Sequence, residues 1–433
     1  MRTDRRTFLL GGAAAGLTAP LAAPITRGAF ARSLPLDAPP QPLGLPFRDY
    51  VPVETPNGAT LPWRISNGAK VFHLVAEPVR HEFAPGLEAN CWGYNGRVHG
   101  PTIEAVEGDR VRIYVTNRLD APTTVHWHGI ILPNGMDGVG GLTQRSIEPG
   151  ETFRYEFVLR QHGTFMYHSH HDEMVQMAMG LTGMIVIHPR VLREPPPERD
   201  FVYMLSEWAL PVGSERPNPN EMQDFNVLTF NAKVFPATAP MVVRTGQRVR
   251  IRIGNLSAMD HHPIHLHGHA FQTVSTDGGE IPPSARWPET STLVGVGQTR
   301  TFDFVADNPG DWAMHCHMTH HVMTQMGHDV PNLTGVDPSR FDEALAEVVP
   351  EFASMGMDES AMDEADPTLP KNSLPMVGGE GPFGYITMGG MVTVLKVRDG
   401  IESYGDPGAY EHPEGTVAEV ASVEELVRDG VGG

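Results

Sequence analysis

The segment "EGDRVRIYVTN" at residues 107–117 recurs as "TGQRVRIRIGN" at residues 245–255. Each begins with a glycine turn and continues with apolar and polar residues in alternation, which is the period of a half-buried strand. Two further pairs repeat in the same order: "VHWHG" (125–129) with "IHLHG" (264–268), and "EPGETFRYEFVLRQHGTFMYHSHH" (148–171) with "GVGQTRTFDFVADNPGDWAMHCHMTHH" (295–321). Three matching pairs in one order predict a duplicated β domain.

The composition is typical of a turn-rich β protein of two or three domains. The chain has 433 residues, including 46 glycines and 39 prolines, and only 19% of its residues are charged. Each repeated unit is therefore predicted to be a β-sandwich with Greek-key connections. The formal net charge of −20 argues against nucleic acids and anionic membranes as partners.

We expect an all-β protein with a first domain at 44–192 and a second domain at 198–397, joined at the proline-rich segment "REPPPERD". After the second unit, the next strand-like segment is "GGMVTVLKV", which predicts a methionine- and acid-rich insertion at 327–385. Residues 398–433 are predicted to form an acidic tail that is helical at "VAEVASVEELVRDG".

The N-terminus is similar to a twin-arginine export signal. Arg5 and Arg6 precede "TFL", and "AFA" at residues 29–31 supplies a small-x-small cleavage site. We therefore expect residues 1–31 to be a signal peptide and the folded protein to be periplasmic. A membrane anchor is the weaker alternative, because glycines and prolines interrupt the apolar stretch and no later run could span a bilayer.

Four H-x-H pairs stand at equivalent places in the two units. Residues i and i+2 of a strand project to one face, roughly 6.5 Å apart, so each pair can approach metal ions from one side. A single pair would more often be a surface or core feature, whereas four in register predict a cluster of three metal ions. The pairs are His126 and His128, His168 and His170, His265 and His267, and His315 and His317.

Cys316 lies between the two histidines of the last pair, so its sulfur should point to the opposite face, toward a separate metal. A nucleophile needs one base and a disulfide needs a partner cysteine, whereas thiolate, imidazole and thioether together suit copper. The only other cysteine, Cys91, is interpreted as a buried apolar thiol.

The remaining ligands of this second metal follow from spacing. His321 stands five residues after Cys316, and His262 in "HHPIHLHGH" supplies a second imidazole. Met326, ten residues after the cysteine, is the predicted axial ligand, with Met323 and Met388 as possible substitutes.

The motifs "HWHG", "YHSHH", "HPIHLHGH" and "HCHMTHHVMTQM" resemble the four copper motifs of the multicopper oxidases, the laccase family, over about residues 85–330. The resemblance implies cupredoxin-like domains that hold four copper ions per chain equivalent. It implies type 2 copper at His126 and His265, and type 1 copper at His262, Cys316, His321 and Met326. It implies a type 3 pair at His128, His168, His170, His267, His315 and His317.

The first unit lacks the ligands of a type 1 site. Alignment of the two units places Thr123, Ser169 and Met174 where the second unit has His262, Cys316 and His321. This pattern resembles the two-domain laccases with type 1 copper in the second domain only. That resemblance implies a head-to-tail homotrimer with clusters at the subunit interfaces.

By the same resemblance, single electrons taken from a reductant at the type 1 site pass through Cys316 to His315 and His317, and dioxygen is reduced to water at the cluster. The segment "MDGVGGLTQ" nominates Asp137 as a proton donor, whereas Thr319 stands where many relatives carry a second carboxylate. The reductant is expected to be a phenolic compound or Cu(I). Thioethers suit Cu(I) but also serve as flexible packing groups, so two methionine-rich segments leave both reductants open. One segment has Met355, Met357 and Met362, and the other has Met174, Met177 and Met179.

Two alternative functions remain from other classes. One is a copper-sequestering protein without catalysis, and the other is a copper nitrite reductase. The second alternative fits less well, because such an enzyme needs a single type 2 copper and not the complete set of eight histidines. A dioxygen-consumption assay separates an oxidase from a binding protein.

Overall fold

The computed structural model describes residues 33–35, 37–211, 213–223, 225–322, 379–386 and 388–431. The predicted signal peptide lies outside these residues, as do Met323, Met326, Met355, Met357 and Met362. Nearly all of the described secondary structure is β-strand, and the fold is cupredoxin-like, as the sequence predicted.

Nine strands build the first sandwich. They are β1 (Trp63–Ser66), β2 (Ala69–Ala84), β3 (Leu87–Tyr94), β4 (Ile103–Val106), β5 (Arg110–Asn117), β6 (His126–His128), β7 (Thr152–Val158), β8 (Gly163–His168) and β9 (Thr182–His188). One sheet has the order β1-β2-β5-β7 with β3 beside β2, and the facing sheet has the order β4-β9-β8-β6. The buried side chains between them form one core that includes Trp127, Tyr155 and Tyr167.

The second sandwich repeats this plan. Its strands are β10 (Arg199–Trp208), β11 (Val227–Phe230), β12 (Met241–Arg244), β13 (Arg248–Asn255), β14 (His262–Leu266), β15 (Phe271–Thr276), β16 (Gly279–Glu280), β17 (Pro288–Glu289), β18 (Ser291–Val294), β19 (Thr299–Val305), β20 (Gly310–Cys316) and β23 (Val392–Arg398). One sheet runs β11-β10-β13-β19-β15-β16, and the other runs β12-β23-β20-β14-β18. Before β23, a hairpin pairs β21 (Gly379–Gly381) with β22 (Gly384–Ile386).

Within the described ranges, helices are few and short. They are α1 (Glu173–Ala178), α2 (Val423–Arg428) and the 3-10 turns Asn134–Met136, Pro283–Ala285 and Thr319–Val322. Ser422 and Glu425 form a capping box at the start of α2, which covers only part of the helix expected in the tail. In the part of the chain that the structure describes, no helix is long and apolar enough to cross a membrane.

The two sandwiches pack firmly against each other. Met166 and Met184 of the first share an apolar cluster with Val202 and Met204 of the second. A polar contact also crosses the interface. The buried guanidinium of Arg252 donates to the hydroxyl of Thr164 at 2.9 Å. An apolar and hydrogen-bonded interface of this kind holds the relative placement of the two sandwiches.

Candidate metal centres

A buried group of three ligands lies at one end of the second sandwich. The Cys316 sulfur is 3.7 Å from Nδ1 of His262 and 3.5 Å from Nδ1 of His321, and the two nitrogens are 3.1 Å apart. All three side chains are fully buried. A thiol and two imidazole nitrogens converging on one point form a donor set that suits copper.

Burial fixes the charge of this group before any metal binds. It lowers the pKa of His262 to about 3 and raises the pKa of Cys316 to about 12. At neutral pH the imidazoles are therefore neutral and the thiol is protonated, so metal binding releases a proton. Nε2 of His262 and the hydroxyl of Ser257 share a hydrogen bond at 2.7 Å, which holds the ring with Nδ1 toward the thiol.

The segment before β23 runs beside these ligands. The amide of Gly389 donates to the carbonyl oxygen of Val322 at 2.7 Å, and the amide of Cys316 donates to Met391 at 3.1 Å. Gly390 has a φ of +62°, and a Cβ at this position would stand 2.4 Å from the carbonyl oxygen of His321. The close approach therefore requires glycine, and it brings Met388 back to the ligand loop.

Four histidines of the first sandwich gather at the ends of β6 and β8. His126 pairs with His168 in register, and the ring centroids of neighbouring members lie 5.3–6.1 Å apart. Nδ1 of His128 is 3.3 Å from Nε2 of His168. His170 completes the group, which we call half-cluster A.

The other four histidines form the same arrangement on the second sandwich. They are His265, His267, His315 and His317, with ring centroids 4.7–5.6 Å apart. Nε2 of His267 is 3.0 Å from Nε2 of His315. Along β14 the side chains alternate, so His262 faces the buried thiol while His265 faces this group, half-cluster B.

Backbone carbonyl groups orient the rings in the same way in both half-clusters. Nδ1 of His126 donates to Asp137 at 2.8 Å, and Nδ1 of His265 donates to Thr290 at 2.7 Å. His168 and His315 each donate from Nδ1 to the carbonyl oxygen of the next residue, at 2.9 and 2.8 Å. These bonds fix the tautomer and leave Nε2 of each ring to a metal.

The two half-clusters do not meet within one chain. All eight histidines are among the described residues, and the recorded ring contacts and hydrogen bonds join members of one half only. His267 and His317 are exposed, and the side chain of His170 is 35% exposed. Each half therefore offers open ligand positions at the surface of the chain.

Two carboxylates flank half-cluster A. Asp137 Oδ1 lies 3.6 Å from Nδ1 of His126. The next residue, Gly138, has a φ of +91° and lies so close to the carbonyl of Val125 that a Cβ would clash with it.

The second carboxylate is Glu173, which was not among the residues predicted from the sequence. It lies 3.6 Å from His168 and 3.8 Å from His170. The repeat could have indicated Glu173, because the offset of the last pair of segments places it opposite His320, beside Thr319.

A hydrogen-bond network fills the place in the first sandwich that corresponds to the thiol centre. Thr123 and Ser169 donate to Oε1 of Gln176 at 2.7 and 2.5 Å, and Gln176 donates to the carbonyl oxygen of Pro122. All three side chains are buried. Elsewhere, Cys91 is buried and free, with its pKa raised by burial to about 12.

Comparisons with known proteins agree with this geometry. Two sequence profiles described as "Multicopper oxidase" match residues 76–191 and 211–335. Copper resistance protein A of Escherichia coli is 30% identical over 278 residues, which cover 52% of this chain and 44% of that protein. Multicopper oxidase MmcO of Mycobacterium tuberculosis is 28% identical over 348 residues, which cover 71% of this chain and 62% of that protein. The chain spans about half the length of the curated relatives it matches.

Solved structures agree as well. A crystal structure described as a multicopper oxidase is 30% identical, has a TM-score of 0.53, and is matched over 64% of this chain and 91% of its own. Blue Copper Oxidase from Nitrosomonas europaea is 27% identical, with a TM-score of 0.55 and coverage of 76% and 85%.

Proposed function

The chain belongs to the multicopper oxidase family, and from that premise we propose that it oxidises a reductant one electron at a time and reduces dioxygen to water. Copper is the cofactor that the family implies. Bound here, it would supply a one-electron acceptor at the thiol centre and a dioxygen-reducing centre at the histidines. The observation that carries the proposal is the alternation at the end of β20, where the Cys316 sulfur lies with His321 while the neighbouring His315 and His317 lie together in half-cluster B.

We propose four copper ions per chain equivalent. His262, Cys316 and His321 would hold type 1 copper, with Met326 as the axial ligand by spacing and Met323 or Met388 as the substitute. The donor set supports this, because the Nδ1 atoms of two buried imidazoles and the sulfur of one buried thiol converge within 3.1–3.7 Å of one another. His126 and His265 would bind type 2 copper, and the other six histidines would bind the type 3 pair.

The protein's own groups orient and connect these sites. The carbonyl groups of Asp137 and Thr290 hold two imidazoles with Nε2 outward. Peptide bonds connect Cys316 directly to His315 and His317, so the two centres are covalently continuous. We propose that the Asp137 carboxylate, 3.6 Å from His126, delivers protons for the formation of water.

We further propose that the working unit is a closed head-to-tail homotrimer. A cluster of three metals needs both half-clusters, and the packed interface between the sandwiches keeps them apart within one chain. Half-cluster A of one subunit would then face half-cluster B of the next. Exposed apolar side chains accompany both, with Leu142 and Met174 in the first sandwich and Leu293 and Met318 in the second.

The cellular location and the domain boundaries are also proposals. We propose export through the twin-arginine pathway after removal of residues 1–31, with a periplasmic mature protein. The proposed domains are 44–192 and 198–397, with the insertion 327–385 and the acidic tail 398–433. No contact with nucleic acid or membrane is proposed.

The test is dioxygen consumption by the copper-loaded protein, with a phenol and with Cu(I) as separate reductants. We expect turnover with at least one of them and formation of water without released peroxide. A protein that binds copper at these sites but consumes no dioxygen would instead support the sequestering alternative. Reduction of nitrite in place of dioxygen would support the nitrite reductase alternative.

A further inference from the structure

Residues 411–431 project from the second sandwich, and every one of them is exposed. We call them the C-terminal arm. Beyond His412, the hydrogen bonds and ion pairs recorded for the arm among the described residues join its own members only, as in the capping box of α2. In the described chain the arm therefore presents its whole surface to solvent.

The segment before the arm is held firmly on the second sandwich. The amide of Tyr410 donates to Oδ2 of Asp311 at 2.9 Å. The centroid of the Tyr404 ring lies 3.8 Å from Cζ of Arg199, and its hydroxyl accepts from Gln247 at 2.8 Å. The arm therefore starts from a fixed point, and fully extended it reaches at most roughly 70 Å from there.

The arm combines an apolar stripe with acidic side chains. Val420, Val423 and Val427 recur at intervals of three and four residues, the spacing that places side chains on one face of a helix. They are 98%, 73% and 71% exposed. The acidic residues of the arm, against a single arginine, are Glu411, Glu414, Glu419, Glu424, Glu425 and Asp429. A short helix is marginal in water by itself, so the exposed valines indicate that a partner surface covers them.

The outer face of one sheet in the first sandwich is basic, in contrast to the formal charge of −20 for the whole chain. The strand register places four arginines from β1, β5 and β7 on this side, and they are Arg64, Arg110, Arg112 and Arg154. Glu156 pairs with Arg110 and Arg112. Arg64 and Arg154 are exposed, and neither has an ion pair recorded among the described residues. We call this surface the basic face.

The basic face also offers apolar surface. A groove with a volume of about 500 Å³ lies on it, and its lining includes Trp63, Val71 and Tyr114. Nε2 of His73, also in the lining, lies 2.7 Å from the hydroxyl of Thr116, which fixes the groove. Apolar walls with arginines at the rim complement an acidic segment that carries valines.

We propose that the C-terminal arm docks on the basic face of a second copy of this chain, with its valines in the groove and its carboxylates against Arg64 and Arg154. The occupant is a second copy because the arm and the face of one chain are both described, and the arm is exposed along its whole length. The arm is about as long as one side of a stable interface, roughly 20–30 residues. It leaves the second sandwich and meets a first sandwich, the same head-to-tail order as in the proposed ring.

Crosslinking between two distinguishable chains tests the contact. One chain carries Val420→Cys and the other carries His73→Cys, and the two are co-expressed with tags of different size and loaded with copper. Both native cysteines are buried, so a short bis-maleimide reaches the introduced thiols. We expect a crosslinked heterodimer. The matched control replaces His73→Cys by Arg97→Cys, which is exposed on the first sandwich away from the groove and should give only a background yield.

Charge reversal supplies the second readout. Arg64→Glu/Arg154→Glu in the chain that carries His73→Cys should lower the yield of heterodimer about fivefold or more. Glu419→Lys/Glu424→Lys in the chain that carries Val420→Cys should then restore it, because the charges again complement each other. Arg97→Glu is the control for charge alone and should leave the yield unchanged.

Three outcomes would overturn the proposal. One is a yield no higher than that of the Arg97→Cys control. Another is a link that forms only when Val420→Cys and His73→Cys are placed in one chain, because the arm would then bind its own sandwich. The third is a link that appears only after deletion of residues 350–368, because the acid-rich insertion would then be the occupant of the groove. The inference goes beyond the oxidase function, and the crosslink is read without turnover, so a protein that consumes no dioxygen still decides it.

Discussion

The backbone amide of Met391 donates to the carbonyl oxygen of His321 at 3.0 Å. His321 precedes the insertion in the chain and Met391 follows it, so the described stretches that flank the insertion meet at the thiol centre. The final strand of the sandwich, β23, then pairs with β20 beside the cysteine. A long segment can leave and return here without disturbing the sheet, because loop closure costs grow slowly with length.

The first prediction follows from this meeting point and concerns the axial ligand. Met326→Leu and Met388→Leu are matched variants, since each replaces a thioether by an apolar side chain of similar volume. Loss of the axial thioether should raise the reduction potential of the type 1 copper and shift its absorption. Spacing predicts this effect for Met326, with Met388→Leu as the control.

Redox titration and visible spectra of the two copper-loaded variants check this. The reverse pattern would assign the axial position to Met388, which the hydrogen bond of Gly389 holds beside Val322. No change in either variant would exclude both methionines.

The second prediction concerns the thiol. Cys316→Ser should abolish the intense thiolate-to-copper absorption and reduce oxidase turnover below detection, because an alcohol does not replace the soft ligand. Copper at the histidines should stay bound, as metal analysis and electron paramagnetic resonance would show. Cys91→Ser is the matched control, since it is also buried but lies away from both centres.

The control should keep its colour and activity while losing about 1–2 kcal/mol of unfolding free energy, the cost of burying a hydroxyl without a partner. A blue and active Cys316→Ser protein would show that the ligand assignment is wrong.

The sequence alone predicts the parts of these sites that depend on local geometry. The alternation of a strand separates Cys316 from His315, and the repeat shows that Ser169 takes the place of the cysteine in the first unit. Gln176 could not be placed in the same way, because it acts from α1 across a turn whose path depends on packing. The sequence gives even less indication of the contact between Glu207 and Asp260. The Glu207 carboxylate accepts from the backbone amide of Asp260 at 3.3 Å only because β10 and the loop after β13 pack together.

The third prediction concerns pH and the contact between the two sandwiches. His162 of the first sandwich lies 3.3 Å from Glu107 and 3.3 Å from Glu280 of the second. Burial alone would lower the pKa of His162, but these hydrogen bonds outweigh it and raise the pKa to about 9. A raised pKa in the folded state stabilises the protein fully below the unfolded value near 6.5, and this stabilisation is lost as the pH rises through about 9.

His162→Gln keeps hydrogen-bonding capacity and removes the charge. It should cost about 1–3 kcal/mol of unfolding free energy at pH 7 and little at pH 10, as denaturant titrations at the two values would measure. An equal cost at both would mean that the histidine contributes through packing and not through its charge.

The last prediction concerns assembly. His128→Ala removes a ligand from half-cluster A, and His317→Ala removes one from half-cluster B, so each variant alone should be inactive. In a head-to-tail ring, an intact cluster forms where the first sandwich of the His317→Ala chain faces the second sandwich of the His128→Ala chain. Random mixing in equal amounts gives this arrangement at about a quarter of the interfaces, so about a quarter of the wild-type activity should return after subunit exchange.

The control is the double variant His128→Ala/His317→Ala, mixed with either single variant. It should restore no activity, because neither mixture supplies both intact half-clusters. Sedimentation should show a trimer, and labelled subunits should confirm that exchange took place. A fully active monomer, or no recovery after proven exchange, would show that both half-clusters act within one chain and would require the packed interface around Met166 and Val202 to open.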